Sequence, residues 1–165
     1  HDQDEAMTLS DRVAVFNEGK IAQIDRPEVL YSRPATRFVA NFLGETNLLE
    51  GTVVSRAAGT ALVRLDESGT LHEAACTDAT LAIGEAAALA IRPENLHLTT
   101  TADASVNACV IDSIFHGAHC KLRLRMPRGT ELAMTYNPGS LGRAAPLPGE
   151  TVALALPAAH TLILR

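Results

Sequence analysis

Aromatic side chains are scarce in this sequence: it has no tryptophan, and its two tyrosines and four phenylalanines make up 4% of 165 residues. The core must therefore be mostly aliphatic. Cysteine is scarce too. Cys76, Cys109 and Cys120 are odd in number and share no short spacing, which argues against a disulfide framework and for reduced, cytosolic thiols. No apolar run approaches the ~20 residues of a membrane-spanning helix, and no secretory leader is visible. Basic residues are outnumbered 14 to 19, for a formal charge of −5. Negative charge and few aromatics together argue against nucleic-acid binding. The phosphate loop GxxxxGK[ST], a strand–GxGxxG–helix unit and a GxSxG elbow are all missing. No complete active site is visible in the chain.

The composition that remains is ordinary for a globular protein, with 47% hydrophobic and 20% charged residues. The length suits one or two small domains. The first forty-odd residues read as mixed α/β. Asp2, Asp4 and Glu5 put negative charge at a helix start, and residues 6–9 continue a short helix that Ser10 and Asp11 end. Residues 12–16 and 20–24 read as two strands joined through Asn17-Glu18-Gly19 into a hairpin. Pro27 suits the first turn of a helix through Tyr31, although Arg26 stands where a small polar cap is preferred. Pro34 interrupts it. A further helix over 36–43 is predicted to bury Phe38, Val39, Phe42 and Leu43 on one face and to stop at Gly44.

From about Asn47 short strands alternate with turn signals, the pattern of a small β-barrel or sandwich. The clearest strand is 121–126, where Leu122, Leu124 and Met126 alternate with Lys121, Arg123 and Arg125. Its return strand sets Leu132, Met134 and Tyr136 against Glu131, Ala133 and Thr135. Val152, Leu154 and Leu156 mark another strand and 162–164 a last one, with 51–56, 61–66, 87–92 and 106–115 as further strand candidates. Residues 137–149, rich in Pro and Gly, read as a surface loop, and the polar stretch 99–105 splits the β region in two.

Few side chains suggest chemistry. His1 alone is no more than a terminal histidine. His116, His119 and Cys120 invite a metal reading, but residues three apart in a strand face opposite ways and no fourth ligand is near, so a loop with solvated histidines is the simpler reading. The stripe Lys121, Arg123 and Arg125, with Arg128 beyond it, would attract an oxyanion or an acidic partner, or would be the solvated face of an edge strand. At Arg92-Pro93-Glu94 the proline stops a strand, and the simple expectation is a turn with a local Arg–Glu ion pair.

The run HDQDEAMTLSDRVAVFNEGKIAQIDRPEVLYSRPATRFVANFLGETNLLEG, residues 1–51, resembles the end of the nucleotide-binding domain of a bacterial ABC importer ATPase. It is similar to the group serving polyamines, iron, sulfate and sugars, and FVANFLGETNLL most resembles the polyamine type. The remainder resembles the TOBE domain of such subunits, on the strength of IRPENL (91–96), VIDSIFHG (110–117) and GETVAL (149–154). His116 departs from the aromatic common in the family, and the family's frequent Trp near Leu156 is missing.

The resemblance implies a mainly β fold: an OB-like TOBE barrel preceded by a short α/β remnant. It divides the chain into residues 1–46, the end of the nucleotide-binding domain, and 47–165, the TOBE domain in two segments of about 47–98 and 106–165. It implies that His1 is the switch histidine, which touches the γ-phosphate and helps align the attacking water in the full-length protein. ATP and Mg would belong to that full-length protein, with no cofactor and no metal in this stretch, because the phosphate loop, the magnesium-binding aspartate and the catalytic glutamate would precede residue 1. Implied partners are a second copy through the TOBE domain, membrane-spanning importer subunits and, indirectly, a periplasmic solute-binding protein. The implied place is the cytoplasmic face of the inner membrane. Arg92, Glu94, Lys121, Arg123 and Arg125 are the candidate ligand-binding residues. Two competing readings are a small oxyanion- or ligand-sensing β module, favoured by strand 121–125, and an oligomerisation domain with no ligand. Deprived of its parent domain, the apolar helix face at 38–43 is expected to repack on the barrel or to swap between chains.

Overall fold

The computed structural model describes residues 3–100, 104–138 and 144–165. His1 therefore lies outside the described residues, as do parts of the polar link at 99–105 and of the loop at 137–149.

The chain opens with α1 (Gln3–Leu9), followed by the antiparallel pair β1 (Val13–Asn17) and β2 (Lys20–Asp25). Glu18 and Gly19 both take positive φ, +49° and +75°, between the paired residues Asn17 and Lys20. That backbone matches the right-handed twist of the two strands. Next comes α2 (Pro27–Ser32), with Pro27 in its first turn and no side-chain cap from Arg26. In α3 (Arg37–Phe42), by contrast, the Thr36 hydroxyl accepts a hydrogen bond from the Val39 amide at 3.2 Å.

The buried face of α3 agrees with the predicted one at Val39 and Leu43 and departs from it at Phe38 and Phe42. Val39 packs with Val15 and Leu30, and Ala40 packs with Ala90 and Leu164. Phe38 and Phe42 remain 37% and 43% exposed and stack on each other with ring centroids 5.7 Å apart. The reason is size. The small Ala40 side chain lets the helix backbone approach the barrel wall closely, which turns the two rings one turn apart toward solvent.

Five strands form a closed barrel in the order β12-β5-β4-β3-β6: β3 (Asn47–Ala57), β4 (Thr60–Leu65), β5 (Leu71–Ala75), β6 (Ala86–Ile91) and β12 (Thr161–Leu164). The other five form an antiparallel sheet in the order β10-β9-β8-β11-β7: β7 (His97–Thr99), β8 (Val106–Phe115), β9 (Cys120–Arg125), β10 (Glu131–Tyr136) and β11 (Thr151–Ala155). The sheets cut across the polar link. The last strand, β12, returns to close the first barrel, antiparallel to β6 and parallel to β5, while β7 crosses into the second sheet. A 3₁₀ turn at Pro93–Asn95 makes that crossing.

One aliphatic core serves both sheets, joining Leu49, Leu65 and Leu89 of the barrel to Leu122, Leu124, Met134 and Leu154 of the sheet. The alternation in 121–126 and 131–136 puts these leucines and methionines inside, with Arg123, Arg125 and Glu131 outside. β9 is not an edge strand, however: β8 pairs with it on one side and β10 on the other. Its basic stripe is wet because it lies on the outer face of the sheet.

Candidate functional site

The most organised polar cluster lies where residues 3–46 meet the barrel. β6 ends at Ile91, and Arg92 follows it with extended backbone and a side chain only 6% exposed. Its guanidinium acts as a hub. Nη1 donates to Ala40 O at 2.8 Å, Gly44 O at 3.1 Å, Glu45 O at 3.2 Å and the Thr46 hydroxyl; Nη2 donates to Tyr31 O at 3.2 Å. The guanidinium plane also lies 4.1 Å from the centroid of the Tyr31 ring. Tyr31 O and Ala40 O are carbonyls left over at the ends of α2 and α3, which a helix cannot satisfy internally, and Gly44, Glu45 and Thr46 belong to the segment just after α3. A planar fork with five donors suits several carbonyls at once, as an ammonium would not.

The expected Arg92–Glu94 ion pair does not form. Tyr31 comes between them: its hydroxyl donates to Glu94 Oε1 at 2.7 Å while its ring takes the Arg92 cation. Burial and the Glu94 carboxylate push the Tyr31 phenol up to about 12. Burial also lowers the Arg92 guanidinium below its ordinary value, with Tyr31 and Glu94 acting against that shift. Two exposed ion pairs flank the junction, Arg37–Glu50 at 2.5 Å and Lys121–Glu45 at 2.6 Å.

Asn47 was not a candidate in the sequence, yet it joins the barrel to the second sheet. Its side chain is buried and pairs with the backbone of Ala133 in both directions, Nδ2 to Ala133 O at 2.8 Å and Ala133 N to Oδ1 at 2.7 Å. One amide thus takes the place of a strand partner along the free side of β10. Asn47→Leu leaves both Ala133 groups buried and unpaired. Its expected cost is about 2–4 kcal/mol, read as a lower urea midpoint with an unchanged slope.

The other candidates are dispersed. Arg123 and Arg125 both reach Glu131 on the neighbouring strand, at 3.2 and 2.7 Å, and these hydrogen bonds, Arg125's first, hold its carboxyl below the usual range. With Lys121 on Glu45, all three cations of the stripe are paired with carboxylates. Arg128 docks the turn after β9 on the barrel, its amide on Glu67 and its guanidinium on Asp66 O at 2.5 Å. His116 and His119 flank the Gly117 turn with rings stacked 5.4 Å apart, and no group of three metal-ligating side chains gathers among the described residues. Of the five candidate ligand-binding residues, the structure brings Arg92 and Glu94 together through Tyr31, leaves Lys121 at the edge of that junction through Glu45, and sets Arg123 and Arg125 on Glu131 instead. Tyr31 carries no local sequence signal. IRPENL did mark Arg92, but not its carbonyl partners.

Residues 89–164 match the TOBE domain family. Along nearly all of its length the chain also aligns with spermidine/putrescine import ATP-binding proteins. It is 42% identical over 164 residues to PotA of Rubrobacter xylanophilus, covering 99% of this chain and 43% of that protein. It is 40% identical over 157 residues to PotA 1 of Pseudomonas aeruginosa, covering 94% and 41%. Residues 89–164 thus carry a TOBE domain, and the chain as a whole is similar to import ATP-binding proteins. It spans about two fifths of the length of these relatives. The TOBE match begins inside β6, so Arg92 stands at the front of the TOBE region and reaches back to α2 and α3. Among solved structures, the cytoplasmic molybdate-binding protein ModG, in a form with molybdate bound, superposes with a TM-score of 0.60 at 16% identity, covering 79% of this chain and 97% of that one. That likeness shows the mainly β, OB-like fold.

Proposed function

We propose that this chain is the C-terminal regulatory and dimerisation part of an ATPase subunit that powers import of a small solute, a polyamine, by ATP hydrolysis. The observation that carries the reading is the continuity of the match: named spermidine/putrescine import ATP-binding proteins align through the α/β segment and the TOBE region alike. The stacked and exposed Phe38 and Phe42 support the assignment of residues 1–46 to the end of a larger nucleotide-binding domain. Residues 47–165 are then the TOBE domain, with a second copy as its dimer partner. The full-length protein works at the cytoplasmic face of the inner membrane, on membrane-spanning subunits and, through them, a periplasmic solute-binding protein. Among the described residues no helix is long and apolar enough to cross a membrane.

The sequence has no phosphate loop, so ATP and its Mg would be held by the rest of the subunit. Two contributions fall to this chain. His1 would help align the attacking water at the γ-phosphate, and the Arg92 hub would transmit strain between the ATPase segment and the TOBE barrel. Phosphoryl transfer depends on positioning and charge. In the full-length subunit reconstituted with its membrane partners, His1→Ala should therefore lower ATP hydrolysis by about 10²–10³-fold while nucleotide binding persists. Spermidine or putrescine uptake into the same proteoliposomes should require ATP. Normal hydrolysis by the variant would remove the switch role, and ATP-driven uptake of other solutes only would remove the polyamine assignment.

A further inference from the structure

A cleft of about 520 Å³ lies beside the Arg92 hub, within the ~300–1,000 Å³ usual for small-molecule sites. One wall comes from the end of α2 and the residues after it, Tyr31 to Pro34. The other comes from the barrel, including Thr77, Asn95 and His160. In a chain of net charge −5, no aspartate or glutamate lines this cleft. Arg92 supplies a buried cation whose partners are carbonyls, a hydroxyl and a ring, with no carboxylate within ion-pair distance. The side chains of Arg33, Thr77, Asn95 and His160 make no hydrogen bond or ion pair among the described residues. Unspent donors therefore line one cavity together with two arginines, and the nearby Glu94 carboxylate is engaged by the Tyr31 hydroxyl. Ile91, Leu162 and Pro34 give the same cavity an apolar side.

We infer that this cleft binds a small phosphorylated organic molecule, with Arg33, Thr77, Asn95 and His160 around the phosphate and Ile91 and Leu162 against the organic part. A planar guanidinium with hydroxyl and amide donors matches the oxygens of a phosphate, and bare phosphate alone would leave most of the cavity unfilled. Because the two walls belong to the ATPase segment and the barrel, an occupant bridges them and holds their relative position. Binding by the chain itself is independent of the transport reading and is measured without ATP or membranes.

The test is an amide NMR titration of the 165-residue chain with inorganic phosphate, glucose 6-phosphate and glucose, at constant ionic strength set with chloride. Saturable shifts at Thr77, Asn95 and His160, with glucose 6-phosphate tighter than phosphate and glucose silent, are expected. Arg33→Ala should weaken binding about tenfold or more; Arg33 is exposed and its side chain is unpartnered, so the variant keeps the fold. Arg123→Ala, outside the cleft, should change nothing. Shifts that fail to saturate, that fall on the Arg123–Arg125 face, or that persist unchanged in Arg33→Ala overturn the site. Glucose 6-phosphate binding no tighter than phosphate overturns the organic half of the assignment and leaves an adventitious ion only.

Discussion

Arg92→Met should destabilise the protein by about 3 kcal/mol or more, although methionine keeps much of the side chain's volume. The guanidinium serves Tyr31 O, Ala40 O, Gly44 O, Glu45 O and the Thr46 hydroxyl from a position only 6% exposed. Hydrogen bonds from a charged donor are worth roughly 1.5–3 kcal/mol each net, but they share one side chain and do not add. Ala40 O keeps a second donor, the Thr46 hydroxyl at 2.9 Å, which limits the loss. Stacking on Tyr31 contributes about 1 kcal/mol more. Arg92→Lys should fall between, because an ammonium keeps the charge but not the fork. Urea unfolding measures the cost, and amide exchange locates it: protection should fall first at Leu43, whose amide bonds to Val39 O at the end of α3. A change under about 1 kcal/mol would show that the hub is ornamental to folding.

The second large effect is steric. At Gly51, where β3 pairs with β4, an alanine methyl would lie 2.5 Å from the Arg64 carbonyl oxygen and 2.6 Å from Val63 Cγ1. Neither neighbour yields easily, since one is backbone within the barrel wall and the other a buried side chain. Gly51→Ala should therefore cost about 3 kcal/mol, at the upper end for overpacking. That lowers the melting temperature by roughly 6–12 °C for a chain of this size. Gly59 makes the comparison informative. It has φ of +80° and nothing within 4 Å of its missing methyl, so Gly59→Ala should cost only the left-handed strain of about 1–2 kcal/mol. If the two variants melt together, steric closeness at Gly51 is not what demands glycine there.

Much of the fold was legible because its signals are local. The hairpin at 13–25 follows from two short apolar runs around Glu18-Gly19. The buried faces of β9 and β10 follow from strict alternation of Leu and Met with charge. The α3 face follows the pattern at Val39 and Leu43 but not at Phe38 and Phe42, because the apolar pattern rewards large residues, whereas close approach to the barrel favours Ala40. β5 escaped notice because Leu71–Ala75 buries only Ala74 and so barely alternates. Three residues, His97–Thr99, are too few for β7 to show a period. The candidate site was half legible. IRPENL pointed to Arg92, but the expected partner was the nearest carboxylate in sequence, and Tyr31, sixty-one residues away, stands between them.

By itself the sequence determined the aliphatic core, the strand-rich region after Asn47 and, through resemblance spread over both halves, the family. These rest on composition, on periods of two and on turn residues, which act over a few positions. Only the tertiary structure decided that β12 closes the first barrel, that Asn47 partners β10, and that Arg92 collects carbonyls from the end of α2, the end of α3 and the segment after it. Each of these is a pairing across 47 or more residues of chain. Such pairings depend on where a closed barrel leaves donors and acceptors unmet, and that is a property of the assembled molecule.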